Sequence, residues 1–79
     1  MVNVKLYAGL KKFIPKGAEF QEYFQVNIEG DTVNDLIMKL GIRDIKIQNV
    51  MINGERIIEF DQTLEEEDLV DIFPPIGSD

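Results

Sequence analysis

The residues best suited to chemistry lie at the end of the sequence, which reads Phe73, Pro74, Pro75, Ile76, Gly77, Ser78 and Asp79. Pro74 and Pro75 fix φ and supply no backbone N–H groups, so a β-sheet cannot continue through them. Residues 74–79 can extend by about 20 Å. We therefore expect a folded domain at residues 1–73 and an exposed C-terminal tail at residues 74–79, with the chemistry of the protein at or near that tail.

The composition excludes several kinds of catalytic site. The 79-residue chain contains no Cys and no His, which removes thiolate chemistry, iron–sulfur ligation, the usual zinc sites and imidazole acid–base catalysis. A domain of this size buries only somewhat over half of its unfolded-chain surface, which leaves little room for an enclosed active site. These features predict a carrier or binding protein with no catalytic residues, no metal and no cofactor, rather than an enzyme.

The sequence also carries a prediction about location. No stretch approaches membrane-spanning length, and the first residues lack the basic and apolar regions of a signal peptide. The absence of Cys fits a reducing compartment. We expect a cytoplasmic protein with no membrane partner.

The formal net charge of −7 is concentrated in the second half of the chain. Residues 1–46 contain seven Lys/Arg and six Asp/Glu, whereas residues 47–79 contain Arg56 alone against nine acidic residues, so the two parts carry +1 and −8. Phosphate binding needs clustered Lys and Arg, so this balance disfavours nucleic acid and favours a basic protein partner. The acidic run at residues 65–68 also fits a plain solvated turn, and no spaced calcium-binding loop accompanies it.

Hydrophobic periodicity predicts the elements that must carry the tail. Apolar and polar residues alternate at residues 2–8 and again at residues 24–28, which predicts two strands joined as a hairpin by a long, lysine-bearing connection. Thr32 and Asp35 have the spacing of a capping box that opens a helix, and Gly41 is placed to end it. Such a short helix must pack its apolar stripe on the sheet.

The rest of the chain predicts further strands. Residues 45–52 are rich in β-branched side chains and reach Asn53-Gly54, a strong hairpin signal, before a return strand begins near Arg56. Residues 69–73 alternate once more and form the final strand. The predicted class is therefore α+β, with a mixed four- to five-stranded sheet packed on one main helix.

The final strand has a buried face and an outer face. The alternation makes Val70 and Ile72 core candidates and turns Phe73 outward. An outward aromatic side chain marks a contact surface, but half-burial of Phe73 against the prolines is an open alternative.

Four segments of the sequence resemble the MoaD/ThiS sulfur carriers of the ubiquitin-like β-grasp superfamily. They are Val4-Lys5-Leu6-Tyr7-Ala8, the helix start Gly30-Asp31-Thr32-Val33, the hairpin Ile52-Asn53-Gly54-Glu55, and Asp68-Leu69-Val70-Asp71-Ile72-Phe73-Pro74-Pro75. The run from Phe73 to Pro75 is fairly specific to the molybdopterin-synthase small-subunit branch. The resemblance implies a ubiquitin-like β-grasp fold, in agreement with the predicted order of elements.

The resemblance also implies a function. It indicates a non-catalytic carrier that delivers sulfur as a C-terminal thiocarboxylate, for example in molybdopterin or tungstopterin cofactor biosynthesis. The implied partners are an ATP-dependent adenylyltransferase of the ubiquitin-activating type and a molybdopterin-synthase large subunit. The implied site residues are Phe73, Pro74, Pro75 and Ile76 for partner binding, and Gly77, Ser78 and Asp79 for the carrier tail.

The tail departs from the family pattern, which ends in Gly-Gly, because Gly77 is followed here by Ser78 and Asp79. If the α-carboxylate of Asp79 were adenylylated, its own side-chain carboxylate could attack and close a five-membered anhydride. We therefore expect the intact tail to be a poor substrate for the activating enzyme. Two hypotheses remain open: a carrier that tolerates this tail or loses Ser78 and Asp79, and a non-conjugating ubiquitin-like module that binds a partner through its acidic surface and Phe73.

Overall fold

The structure, a computed structural model, describes residues 1–75. Within that range the chain forms five strands and one α-helix. Their bounds are β1 Val2–Leu6, β2 Phe24–Val26, α1 Val33–Leu40, β3 Asn49–Ile52, β4 Glu55–Ile57 and β5 Leu69–Phe73. The predicted tail residues Ile76, Gly77, Ser78 and Asp79 lie outside the described residues.

The strands form one mixed sheet in the order β2-β1-β5-β3-β4. β1 and β5 run parallel, whereas β1 with β2, β3 with β4, and β3 with β5 are antiparallel. The predicted α+β class with a mixed sheet and one main helix is therefore confirmed, with five strands. The final strand of the described chain occupies the centre of the sheet.

One apolar core lies between the sheet and α1. The alternation in β1 and β5 buries every second side chain, and Val4, Val70 and Ile72 are fully inaccessible to solvent. Leu36 and Ile37 of α1 belong to the same core. The core assignments of Val70 and Ile72 are thus confirmed, and the helix covers only one face of the sheet.

The ends of α1 follow the predicted chemistry. The backbone N–H of Asp35 donates to the hydroxyl of Thr32 at 3.2 Å, and the Asp35 carboxylate accepts the N–H of Thr32 at 3.1 Å. At the other end Gly41 adopts φ +78° and donates its N–H to the carbonyl of Ile37 at 3.1 Å. The capping box and the glycine stop are both confirmed.

Three predicted strand boundaries are wrong. β2, expected to reach residue 28, ends at Val26, and the other two boundaries lie where the chain turns. Ala8, expected in the first strand, has φ +51° and starts a 3₁₀ turn at Ala8–Phe13. Residues 45–48, expected in the strand before the hairpin, include part of a second 3₁₀ turn at Asp44–Lys46. In both places the chain must change direction between elements, so the path through the molecule overrides the local β-propensity.

Candidate functional site

The predicted tail leaves the sheet from its central strand. Phe73 pairs with Asn49 of β3, and the backbone N–H of Gln48 donates to the carbonyl of Phe73 at 2.8 Å. Phe73 is the last residue of β5, and Pro74 and Pro75 are half-buried outside any strand. The hydrogen bonds of β5 to its neighbours thus end where the sequence supplies residues without N–H groups. The end of β5 lies between β1 and β3.

The aromatic ring of Phe73 stacks on that of Tyr7. The ring centroids are 4.2 Å apart and the planes differ by 14°, so the rings stack nearly parallel and slightly closer than the roughly 4.5–7 Å that is usual for aromatic pairs. Both side chains are half-buried. Of the two alternatives for Phe73, the structure shows half-burial, with Tyr7 as a packing partner.

Tyr7 was missed as a site residue by the sequence analysis. The position of Tyr7 beside Phe73 follows from the register of the parallel strands β1 and β5, in which Leu6 lies beside Ile72. The next residues in that register are Tyr7 and Phe73. Sequence periodicity predicts both strands but not that they are neighbours, so this contact depends on the assembled sheet.

A polar group of side chains lies next to the aromatic pair. The Tyr7 hydroxyl donates to the Asp71 carboxylate at 3.4 Å, and the Lys5 ammonium lies 5.6 Å from the centre of the Tyr7 ring and 4.0 Å from a carboxylate oxygen of Glu22. The Tyr7 side chain, followed by the charges of Glu22 and Asp71, raises the pKa of Lys5. Lys5 thus places a positive charge beside the half-buried Tyr7 ring.

These side chains lie on what we call the open face, the side of the sheet away from α1. It carries the outward residues of the three central strands together with Tyr7. The outward residues are Asn3, Lys5, Asn49, Met51, Leu69, Asp71 and Phe73. All of them are half-buried, so the open face is a mixed apolar and polar surface at the base of the tail.

Two asparagines on the open face carry unsatisfied acceptors. The carboxamide oxygens of Asn3 and Asn49 are inaccessible to solvent and have no hydrogen-bond partner among the described residues. A buried acceptor without a donor typically costs about 1–3 kcal/mol. Asn49 pairs with Phe73 in the sheet, so one of these acceptors lies directly beside the exit of the tail.

The acidic run has two parts with different roles. Glu65, Glu66 and Glu67 are exposed, as a solvated turn requires. Asp68 is half-buried and accepts hydrogen bonds from the Asn53 side chain at 2.9 Å and the Glu65 backbone N–H at 2.8 Å. Asp68 thus fastens the β3–β4 hairpin to the loop that precedes β5.

The site offers surfaces rather than an enclosed reaction chamber. A hollow of about 220 Å³ beside Tyr7, lined also by Lys5, Lys11 and Tyr23, is open to solvent. Across residues 1–75, His, Cys, Asp and Glu form no group of three or more that could hold a metal ion. The helix in this range is too short and too polar to cross a membrane.

Comparisons with known proteins agree on one family and one fold. The model of the ThiS family matches residues 4–77. The crystal structure of SAMP1 from Haloferax volcanii is 22% identical over 99% of this chain and 98% of that chain, with a TM-score of 0.62. The crystal structure of H. volcanii small archaeal modifier protein 1 is 24% identical over 95% and 97% of the respective chains, with a TM-score of 0.68. At these identities the two structures establish the shared β-grasp fold, and no curated protein sequence matches significantly.

Proposed function

Because this chain belongs to the ThiS family, we propose that it is a sulfur carrier that presents its C-terminal segment to the active sites of other enzymes. The observation that supports the proposal most directly is the exit of the chain at Phe73, Pro74 and Pro75 from the centre of the sheet. A carrier needs a rigid base and a narrow segment that reaches into a partner's pocket, where the catalytic groups belong to the partner.

The proposed chemistry proceeds in two steps on the carrier. A terminal carboxylate oxygen attacks the α-phosphorus of ATP in an adenylyltransferase of the ubiquitin-activating type, and pyrophosphate leaves. A hydrosulfide equivalent then attacks the acyl carbon, AMP leaves with the former carboxylate oxygen, and a thiocarboxylate remains. The thiocarboxylate would pass its sulfur to an acceptor enzyme such as a molybdopterin-synthase large subunit, in the synthesis of a molybdenum or tungsten cofactor.

We assign partner recognition to the open face and to the first residues of the tail. Tyr7 and Phe73 supply aromatic area, and Lys5 and Asp71 supply charges of both signs next to it. Aromatic anchors surrounded by polar groups are typical of protein interfaces.

Gly77, Ser78 and Asp79 decide whether the 79-residue chain can be activated. Glycines allow a backbone to approach catalytic groups closely, whereas Asp79 brings a second negative charge into the partner's pocket and a side chain that can form an anhydride. We propose that the 79-residue chain is a poor substrate until Ser78 and Asp79 are removed, which leaves Gly77 as the terminal residue.

An adenylylation assay tests this proposal. The 79-residue chain, a chain ending at Gly77 and the double variant Ser78→Gly, Asp79→Gly are each incubated with the activating enzyme of the source organism and ATP, and pyrophosphate exchange is measured. We expect both altered chains to react faster than the 79-residue chain by at least about tenfold. Equal rates for all three chains would contradict our account of the tail.

The role of the open face needs a separate measurement with a matched control. Phe73→Ala should weaken binding of the activating enzyme, because it removes half of the aromatic pair. Met38→Ala removes a side chain of comparable size that is 77% exposed on α1, on the other side of the sheet, and should leave binding unchanged. If both variants bind equally well, the open face is not the recognition surface.

The second candidate is a ubiquitin-like module that binds a partner without any transfer chemistry. The residues after Gly77 favour it, since neither Ser78 nor Asp79 is a glycine. The intact mass of the protein isolated from its own source separates the candidates. Loss of Ser78 and Asp79, or the exchange of one oxygen for sulfur, supports the carrier, whereas an unmodified mass supports the binding module.

A further inference from the structure

β4 is an edge strand with a hydrogen-bonding side that faces away from the sheet. Among residues 1–75 it pairs with β3 alone, where Glu55, Arg56 and Ile57 lie opposite Ile52, Met51 and Val50. A two-residue hairpin closes on a hydrogen-bonded pair, and hydrogen-bonded and non-hydrogen-bonded pairs alternate along the ladder. Arg56 therefore points its backbone N–H and C=O outward, where a further strand could pair with them.

Apolar side chains accompany this free edge. Ile58, directly after β4, is 93% exposed, and Ile52 and Ile57 are half-buried. All three line an open cleft of about 770 Å³ between the β3–β4 hairpin and the loop at residues 59–68. β4 is only three residues long and carries Glu55 and Arg56, features that discourage pairing with an identical strand, while the exposed Ile58 beside it offers apolar area to a segment of complementary charge.

The charge of the cleft specifies the occupant. Its walls carry Glu55, Glu59, Asp61 and Glu65, all exposed, and Arg56 is the one Lys or Arg among the residues that line it. The ion pairs found within residues 1–75 join the Met1 amine to Glu66 and Lys5 to Glu22. The carboxylates of the cleft are thus without a cationic partner in this part of the chain, and their field attracts positive charge.

We propose that β4 and its cleft bind an extended, positively charged segment of a partner protein, which adds to the sheet as a further strand beside β4. Alternate side chains of an added strand point to opposite faces, so apolar residues on one face of the segment would contact Ile58 while Lys or Arg residues on the other face meet Glu55. A second copy of this chain is disfavoured because each copy carries a net charge of −7. The proposal is independent of the carrier function and of the tail.

The first test uses the complete chain labelled with ¹⁵N and a short peptide of alternating Lys and Val. We expect amide shifts at residues 55–58, slowed hydrogen exchange at the Arg56 amide, and binding that weakens when ionic strength rises from about 0.05 to about 0.5 M. A peptide of alternating Glu and Val is the control and should not bind. Equal binding of both peptides, no binding of either, or shifts confined to the open face would each overturn the proposal.

Two pairs of variants distinguish the contribution of the outward backbone N–H of β4 from that of the carboxylates of the cleft. Arg56→Pro removes the outward N–H and should abolish binding, whereas Arg56→Ala removes the same side chain but keeps the N–H and should bind at least as well as the parent. Glu59→Lys should weaken binding by about threefold or more. Glu29→Lys, the same charge change at an exposed position outside the cleft, should have little effect. Unchanged NMR spectra outside the cleft confirm that each variant is folded. Equal losses of peptide affinity by the two members of either pair would overturn the proposal.

Discussion

At the level of single residues, the contact between Tyr7 and Phe73 links the stability of the fold to the partner recognition proposed above. The two rings stack at 4.2 Å and each remains partly exposed. The same aromatic area that holds the end of β5 against β1 is therefore available to a partner. A substitution here affects both properties, and they must be measured separately.

The energy of this contact can be isolated by a double-mutant cycle. The destabilisation caused by Tyr7→Ala and Phe73→Ala together should be smaller than the sum of the two single effects, because each single change already removes the stacked pair. We expect a coupling of about 1 kcal/mol in the free energy of unfolding. Urea unfolding of the four proteins gives this value. If the two losses of unfolding free energy simply add, the rings stabilise the fold only through the burial of each side chain and not through their mutual contact.

Asp35 gives the stability of the domain a predicted dependence on pH. Hydrogen bonds from Thr32, through its backbone N–H and then its hydroxyl, lower the pKa of the Asp35 carboxyl. A pKa that is lower in the folded state means that the ionised carboxylate stabilises the fold above the unfolded-state pKa of about 4. This contribution is lost as the pH falls through the folded-state pKa.

Unfolding of the parent and Asp35→Asn by urea, measured between pH 7 and pH 2, tests the assignment. We expect the parent's advantage in the free energy of unfolding to be largest near neutral pH and to shrink below about pH 4. An advantage that stays constant across this range would mean that the charge of Asp35 plays no part.

Among the elements, α1 was predictable because its signals are local. Thr32, Asp35 and Gly41 act within one turn of their own positions, so the sequence contains the whole cause of each helix end. Gly30 adds a detail that sequence could not supply, since it has φ +103° and a Cβ at this position would collide with the Asp35 carboxylate. The capping box therefore favours a glycine two residues before Thr32.

Gly30→Ala tests this preference, with Gly17→Ala as a matched control. Gly17 has a similar φ of +97° but no atom within 4 Å of its Cβ position, so its replacement should cost only the backbone strain, about 1 kcal/mol. We expect Gly30→Ala to cost clearly more, because the Asp35 side chain must also leave its cap. Equal losses of unfolding free energy would show that the cap adapts without penalty.

The elements that were predicted wrongly have causes outside their own sequence. Ile45 belongs to a β-branched segment, yet it lies in a 3₁₀ turn and is 68% exposed. Ala8 continues the alternation of β1 but turns the chain toward Leu10, which is buried in the core. Ala8 lies in the connection from β1 to its sheet neighbour β2, and Ile45 lies between α1 and β3. The path of each connection is a property of the assembled fold.

For the molecule as a whole, the order of elements and the resemblance to a family were sufficient to predict the fold but not the complete site. Phe73 was placed on the outer face because it ends the last alternating strand, and its role in partner binding stays a prediction. The contact of Tyr7 with Phe73 was not predicted, because it depends on the parallel pairing of β1 with β5, which joins residues more than sixty positions apart. The cleft beside β4 likewise depends on the position of the hairpin at the edge of the sheet.

The sheet order also predicts a gradient of local stability. β5 pairs on both sides and buries Val70 and Ile72 completely, whereas β2 and β4 each pair on one side. Backbone amides of β5 should therefore exchange with solvent hydrogen most slowly, at rates that approach those of global unfolding, and amides of β4 should exchange faster. Hydrogen exchange followed by NMR measures this order, and equal protection of β4 and β5 would contradict it.

The central place of β5 has a consequence for how the protein is made. During synthesis β1 emerges from the ribosome first, but one of its two neighbours in the sheet is not available until residues 69–73 have been added. An incomplete nascent chain is therefore expected to stay unfolded. Since the same strand both completes the sheet and leads into Pro74, the proposed carrier segment would follow only a finished domain, and the proposed activating enzyme would not encounter it on an immature chain.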